Sequence, residues 1–483
     1  MNKIKISILL FFFLGIITGI VSCDDFIEQY PREAVSDEEA FNNIDGIQGA
    51  VANLYHRFQQ GEYNHRIMNL AGGLLSDQLD MARNNSGYLY RLEINMEGQG
   101  FEFWSRLYSD INRANMVLYY IDDVEGSDAI INKAKGEAYA HRGWRYFDLL
   151  KVYARPYMYQ TPLVQGEPLG VIYKTDPFLG IDESSFQQRG TVDEGYQLVL
   201  DDFYNALEYL PLEDGKPYHF TGVSILAALA RVYLYMGDWE NAADYAESVI
   251  NDYSFELAEN FEDNFIPQPG HESILELAYA RSYTPNRFNP TGGYAYMDAE
   301  TGEGYGDVIL RHDLINLLED YREKGDQRSE MFIYSNKAGQ DVAYQTKYTG
   351  RHGSYYQDDI KMIRLAEMYL IAAEAYAEME NFPQSRHFLE ELRKKRMNEE
   401  YAEIDLNTKE ELIDLVLTER RVEFFSEQSH RWFDLRRRGM DIPKGVEGID
   451  SGTPLDFDDY RVVERIPNTE VEQNPNCLQN PGY

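Results

Sequence analysis

Two stretches of the chain carry residue types suited to gripping a polyhydroxylated ring. The first is Arg83-Asn84-Asn85-Ser86-Gly87-Tyr88-Leu89-Tyr90, continuing to Phe101. The second runs from Tyr279 to Tyr305 and contains Tyr283, Asn286, Phe288, Asn289, Tyr294 and Tyr296. An aromatic face stacks on a sugar ring while Asn, Asp, Arg or Gln hydrogen-bond its hydroxyls. Binding residues concentrate on loops held by a rigid scaffold. The candidate ligand contacts are therefore Arg83, Asn84, Tyr88, Tyr90, Phe101, Tyr283, Phe288, Tyr294 and Tyr296. A third, weaker candidate is Tyr348-Thr349-Gly350-Arg351 with Tyr355 and Tyr356. The competing reading is that these rings pack their own loops or a partner.

Covalent chemistry finds no comparable footing. The chain has no His-Glu-x-x-His helix, no Gly-x-Ser-x-Gly elbow and no Walker loop. Gly302-x-Gly304-x-Gly306 imitates a phosphate loop but lacks the strand before it and the helix after it. The nine His are scattered, and His141 and His430 fall within helical patterns. No cofactor is expected. Asp298, Glu300 and Asp307 are the place where a structural calcium would sit, but they fit no EF-hand spacing. Among 82 acidic residues, carboxylate pairs of the kind a glycosidase uses arise by chance, so their presence decides nothing.

One cysteine has an evident covalent fate. Met1-Asn2-Lys3-Ile4-Lys5 is a cationic start, Ile6 to Val21 a nearly unbroken apolar run, and Ser22 precedes Cys23. This is the layout of a secretory signal peptide, expected over residues 1–22. Ile20-Val21-Ser22-Cys23 resembles a bacterial lipobox, which makes the Cys23 thiol the acyl acceptor and the lipid anchor. Several acyl chains hold a protein at a membrane where one alone is marginal. Asp24 and Asp25 resemble a surface-export signal, and residues 23–43 read as a tether. Cys477 is then a lone thiol, expected to be buried and inert.

The elements that must position the candidate loops are helical. Trp104-Leu107-Tyr108-Ile111-Ala114-Asn115 repeats at three and four residues, as do Ala138–Tyr153 and Tyr196–Leu207, the last closed by Leu210-Pro211. Two stretches resemble tetratricopeptide hairpins. One is Ala227-Ala230-Tyr233-Leu234, then Gly237-Asp238-Trp239, then Ala242-Tyr245-Ala246-Val249. The other is Leu365-Met368-Tyr369-Ala372-Ala373-Tyr376-Met379, then Asn381-Phe382-Pro383, then Ser385-Phe388-Leu389-Leu392, with Glu380 where the first has Gly237. They lie too far apart in sequence for a simple solenoid. The expected fold is mostly α: tetratricopeptide-like hairpins packed as a scaffold, one domain over residues 44–483, with a loop-rich insertion near 251–355 and a short strand at Ser273–Leu277.

Bulk composition narrows the partners. A net charge of -37 repels phosphate backbones and argues against nucleic-acid binding. Tyrosine is abundant at 38 residues, and Tyr joins an apolar ring to a polar tip.

Several passages together resemble the SusD/RagB family. They are Trp104-Ser105-Arg106-Leu107-Tyr108 with Ile111 and Asn115, Gly136–Arg142 leading into Tyr146-Phe147-Asp148-Leu149, Arg364–Leu370 with Ala373-Glu374-Ala375, Glu419-Arg420-Arg421, and His430–Arg436. The ending, Asn474-Pro475 and Gln479-Asn480-Pro481-Gly482-Tyr483, fits as well. The resemblance spans the chain. It implies an outer-membrane lipoprotein facing the exterior, without catalytic residues, that serves a SusC-like TonB-dependent transporter. Its cargo would be an oligosaccharide, with an oligopeptide as the alternative; a surface glycoside hydrolase is a weaker alternative, which the acidic residues leave open and the resemblance argues against. Glu137, Arg142, Glu367, Glu374, Arg420, Arg421 and Asp434 are expected to form structural ion pairs, and Arg436-Arg437-Arg438 to meet a helix end or nearby acids.

Overall fold

The computed structural model describes residues 40–60, 62–89, 100–160, 169–182, 185–212, 217–266, 270, 272–278, 291–350, 358–443 and 454–483. Cys23 and the expected signal peptide lie outside them. The principal helices are α1 (Ile44–Phe58), α2 (Ile67–Leu75), α3 (Trp104–Tyr120), α4 (Asp128–Tyr153), α5 (Val192–Tyr209), α6 (Gly222–Met236) and α7 (Trp239–Asp252), followed by α8 (His312–Arg322), α9 (Leu365–Glu378), α10 (Phe382–Lys394), α11 (Lys409–Glu423) and α12 (His430–Arg437). Six short strands join in three antiparallel pairs. These are β1 (Leu79–Met81), β2 (Ser273–Leu277), β3 (Val308–Leu310), β4 (Phe332–Lys337), β5 (Gln340–Gln345) and β6 (Ile360–Arg364), paired β1–β3, β2–β6 and β4–β5.

Both expected hairpins form. α6 ends at Gly237, whose φ of 73° lies in the left-handed region that glycine enters without penalty, and Asp238 accepts the N–H of Asn241 to start α7. In the second hairpin Glu380 takes the same role at φ 59°, and Phe382-Pro383 opens α10. The two hairpins are adjacent in space because α7 packs on α9. α4 packs on α5 and α5 on α6, so helical pairs follow one another in layers although a long insertion interrupts them in sequence.

Two helices exceed their apolar pattern. α5 begins at Val192, ahead of the periodic stretch, because Thr191 and Glu194 form a reciprocal capping box. α4 begins at Asp128 and from Gly136 onward is buried on nearly every side between α3 and α5. The insertion is also more ordered than its glycine content suggests, since it holds β2 to β5 and α8.

Charged side chains pin the helices together. Arg142 meets Asp202 at 2.7 Å, Arg231 meets Glu367 at 2.5 Å, Arg437 meets Glu374 at 2.5 Å and Arg420 meets Asp434 at 2.7 Å. Glu137 accepts the Tyr55 hydroxyl at 2.9 Å and Arg421 lies 3.4 Å from Asp77. The expected ion pairing holds for Arg142, Glu367, Glu374, Arg420, Arg421 and Asp434, most of whose partners sit on other helices, whereas Glu137 is held by a tyrosine hydroxyl. The three consecutive arginines separate: Arg436 donates to the carbonyls of Lys151 and Ala154 at the C-terminus of α4, Arg437 binds Glu374, and Arg438 binds Glu378. Cys477 is buried, and that burial pushes its thiol up to about 11, which keeps it protonated and inert.

Candidate functional site

A small apolar cluster brings three distant parts of the chain together. Ala82, Ile309, Val342 and Tyr344 pack on one another, with Tyr296 and Met297 against them. This fixes β1 to β3 in the register Leu79↔Leu310, Asp80↔Ile309 and Met81↔Val308, and lays the β4–β5 hairpin alongside. The hairpin turns through two residues, Ala338 (φ 51°) and Gly339 (φ 83°), with the Gly339 N–H on Asn336 Oδ1 at 2.9 Å. Positive φ at both turn residues matches the strand twist.

Between β1, β3, the hairpin and the start of α8 lies a cleft of about 580 Å³, within the size range of small-ligand sites. Its walls include Asp80, Arg83, Arg311, Asn316, Tyr334 and Gln340. Tyr334 stands 64% exposed on the hairpin, its hydroxyl donating to Glu319 at 3.0 Å. Gln340 Oε1 accepts the Arg83 N–H at 2.8 Å, which ties the loop after β1 to the hairpin.

That loop ends in a second exposed ring. Tyr88 is 58% exposed and rests edge-on against Tyr294, with centroids 6.4 Å apart. Tyr294 is itself stacked on Tyr305 at 5.4 Å and covered by the Arg66 guanidinium. Asp307 links the parts: it accepts from the N–H and hydroxyl of Ser86 through one oxygen and from Lys337 Nζ, at 3.0 Å, through the other. Lys337 also donates to the carbonyls of Tyr305 and Gly306. Both Asp307 oxygens are thereby occupied, and Asp298 Oδ1 caps the N–H groups of Glu300 and Thr301. Among the described residues no group of three or more His, Cys, Asp or Glu could hold a metal ion.

The expected contacts divide accordingly. Arg83, Asn84 and Tyr88 are exposed on the loop after β1, and Arg83 lines the cleft. Tyr294 lies beneath Tyr88 as its support, and Tyr296 is half-buried against Tyr344. Phe101 requires a correction: at 1% exposure it packs between Phe103 and Phe433, so its ring is a core group. Tyr348 of the third segment is likewise 1% exposed, against Phe265. Tyr90, Tyr283, Phe288, Arg351, Tyr355 and Tyr356 lie outside the described residues. Sequence reasoning missed Tyr334, Gln340, Arg311 and Asn316, which are the cleft's own walls. Alternation of Phe332 and Tyr334 before Gly339, and of Val342 and Tyr344 after it, was the available signal.

A second cleft of about 590 Å³ lies between α3 and residues 172–182, with Ser185 and Gln187. Its inner polar groups hold that loop: Tyr108 bonds both backbone groups of Ile172, and Asn115 bonds the carbonyls of Lys174 and Asp176. It holds none of the expected contacts.

Comparison with known proteins yields a consistent picture. Residues 25–234 match the family model described as starch-binding associating with outer membrane, and residues 320–483 match the model of the SusD family. SusD-like protein P38 of Formosa agariphila is 24% identical over 100% of this chain and 99% of its own. A SusD-like protein of Bacteroides ovatus is 23% identical, covering 85% of this chain and 79% of that one. Among solved structures, a SusD superfamily protein of Bacteroides vulgatus superposes with a TM-score of 0.79 at 26% identity, covering 92% of this chain and 99% of that one. A laminarin-binding SusD-like protein shares the fold at a TM-score of 0.70 and 20% identity, covering 92% and 100%.

Proposed function

The chain belongs to the SusD family, and from that membership we propose that it is a surface-exposed lipoprotein, anchored through Cys23, that binds an oligosaccharide and delivers it to a SusC-like TonB-dependent outer-membrane transporter. The observation that carries the reading is the exposed ring of Tyr334 with Arg83, Asn316 and Gln340 around one cleft, together with the exposed ring of Tyr88 on the loop that Arg83 begins. Rings supply stacking area at little entropic loss, and the polar groups select hydroxyl positions. The fold serves glycan binding in the laminarin-binding relative. No helix among the described residues is long and apolar enough to cross a membrane, which fits attachment through lipid. The protein binds and releases its cargo without covalent change.

A binding screen of mixed oligosaccharides and oligopeptides tests this. A selective oligosaccharide hit, weakened at least tenfold in the double variant Tyr88→Ala/Tyr334→Ala, is the expected result. A hit confined to peptides replaces the cargo, and cleavage of the bound oligosaccharide by the purified protein overturns the non-catalytic reading. Co-purification of a TonB-dependent barrel with the tagged chain from its native membrane tests the partner.

A further inference from the structure

The exposed rings of Tyr88 and Tyr334 stand on different segments, the loop after β1 and the β4–β5 hairpin, and a buried ion pair joins those segments. Lys337 Nζ lies 3.0 Å from Asp307 Oδ1, and both side chains are buried. Besides Asp307, Lys337 donates to the carbonyls of Tyr305 at 2.7 Å and Gly306 at 3.0 Å. An ammonium has three donors, so all of them are directed at residues 305–307. Lys337 closes β4, three positions beyond Tyr334, so the hairpin that carries Tyr334 is fixed there.

Asp307 holds the other segment at two points. Its carbonyl accepts the N–H of Ala82 at 2.8 Å, and its Oδ2 accepts both the N–H of Ser86, at 3.1 Å, and the Ser86 hydroxyl. Between those points Asn85 Nδ2 donates to the Ala82 carbonyl at 2.7 Å, and the Gly87 N–H donates to Asn85 Oδ1 at 2.8 Å, so the loop is tied to itself just before Tyr88. A second route reaches the same ring. Tyr305, whose carbonyl Lys337 holds, stacks on Tyr294, and Tyr294 meets Tyr88 edge-on. A buried ion pair adds little stability over apolar residues of the same volume, because lost hydration offsets the attraction. What these two residues add is direction, through donors and acceptors that each fit in one place only.

We propose that Asp307 and Lys337 are positioning residues, which set the spacing between the Tyr88 ring and the cleft beside Tyr334 so that one oligosaccharide long enough to reach both is bound by both at once. The proposal rests on the oligosaccharide reading above and adds what gives that site a preference for chain length. Tyr88 lies five residues beyond Arg83 of the cleft wall, so their Cα atoms are at most about 18 Å apart, within reach of a chain of several sugar units. Neither positioning residue touches the ligand; they act through Ser86, Tyr305 and the hairpin. Two contact points held at a matched spacing let the second contact form with little further loss of freedom, and a loose spacing forfeits that gain.

The test uses the full chain in detergent and the mixed oligosaccharides of the screen above, separated by size into a short pool of two to three units and a long pool of six to eight. The parent is expected to prefer the long pool. Lys337→Met removes the three donors and keeps the apolar stem, and Asp307→Asn sets an amide donor against Ser86 or Lys337. In both variants the ratio of long-pool to short-pool affinity should fall at least fivefold, with Asp307→Glu keeping part of it. Ser86→Ala, on the exposed loop, removes one hydroxyl bond without touching the buried pair, and should lower the ratio in the same direction even if the buried variants do not fold. Long-pool and short-pool affinities that fall by the same factor show a merely structural role and overturn the proposal, as does a ratio that none of the variants changes. In either case the oligosaccharide reading stands, since the parent still binds. If neither pool binds the parent, both fall.

Discussion

Glu464 should make the protein's stability depend on pH in a direction opposite to that of most carboxylates. Its side chain is buried, and Oε1 accepts the N–H of Gly100 at 3.0 Å and of Phe101 at 3.2 Å. No cation pairs with it within 4 Å among the described residues; Arg436 acts only at longer range, and Glu102 opposes it. Burial pushes its carboxyl from 4.5 up to about 7, the two backbone donors and Arg436 offsetting only part of that rise. Below the unfolded value both states are protonated and the group contributes nothing. As pH rises through 4.5 the unfolded chain ionises first, so stability falls until the folded carboxyl ionises near 7 and is constant above it. The full difference is about 3 kcal/mol, because each tenfold change in proton affinity is worth about 1.4 kcal/mol. Glu464→Gln keeps a carbonyl for the two N–H groups and removes the ionisation, at a loss of about 1 kcal/mol for its newly buried amide donors. The variant should therefore be slightly less stable than the parent at pH 5 and about 2 kcal/mol more stable at pH 8. Urea unfolding at both pH values measures this. A stability difference between variant and parent that does not change with pH would refute the reasoning.

Two further outcomes follow from the scaffold. Arg437→Met leaves Glu374 buried with only Arg438, at 3.5 Å, and should destabilise by about 3–5 kcal/mol; replacing both Glu374 and Arg437 by leucine should recover most of it, and a single-variant loss under about 1 kcal/mol in urea unfolding would contradict the pairing. Glu380→Gly relieves a left-handed non-glycine residue at φ 59°, a strain of about 1–2 kcal/mol, against a smaller entropic loss. The melting temperature should rise slightly, and a fall would show that Glu380 is held by something other than the turn.

The scaffold was legible because its signals are local. Ala227 to Val249 and Leu365 to Leu392 repeat at helical spacing around a turn, and the second turn was readable against the first even with Glu380 in place of glycine. The buried arginines and glutamates were legible as pairs, but their partners were not: Arg231 finds Glu367 across 136 residues, which no spacing rule anticipates. The site was half legible. The loop from Arg83 to Tyr88 announced itself by composition. Phe101 shared that composition yet belongs to the core, because the chain turns inward where Glu464 takes its N–H. The hairpin bearing Tyr334 stayed hidden because Ala338-Gly339 lacks the Asn or Asp that usually marks such a turn.

The contacts around α12 have a consequence for how the chain comes to be folded. Ser429 Oγ accepts the N–H of Gly72 and donates to the carbonyl of Met68, and a side chain at Gly72 would collide with Ser429 Cβ. Arg436 closes the end of α4 from 285 residues downstream. The earliest helices thus wait for nearly the last ones synthesised. Contacts of such long sequence separation form slowly, because the loop between them must be closed before they return anything. A nascent chain therefore cannot complete its core until its C-terminal part emerges. On the secretion route proposed above this delay is an asset, since a chain that must pass through a membrane pore travels unfolded; the same arrangement means that a premature stop before His430 leaves the whole body unsealed.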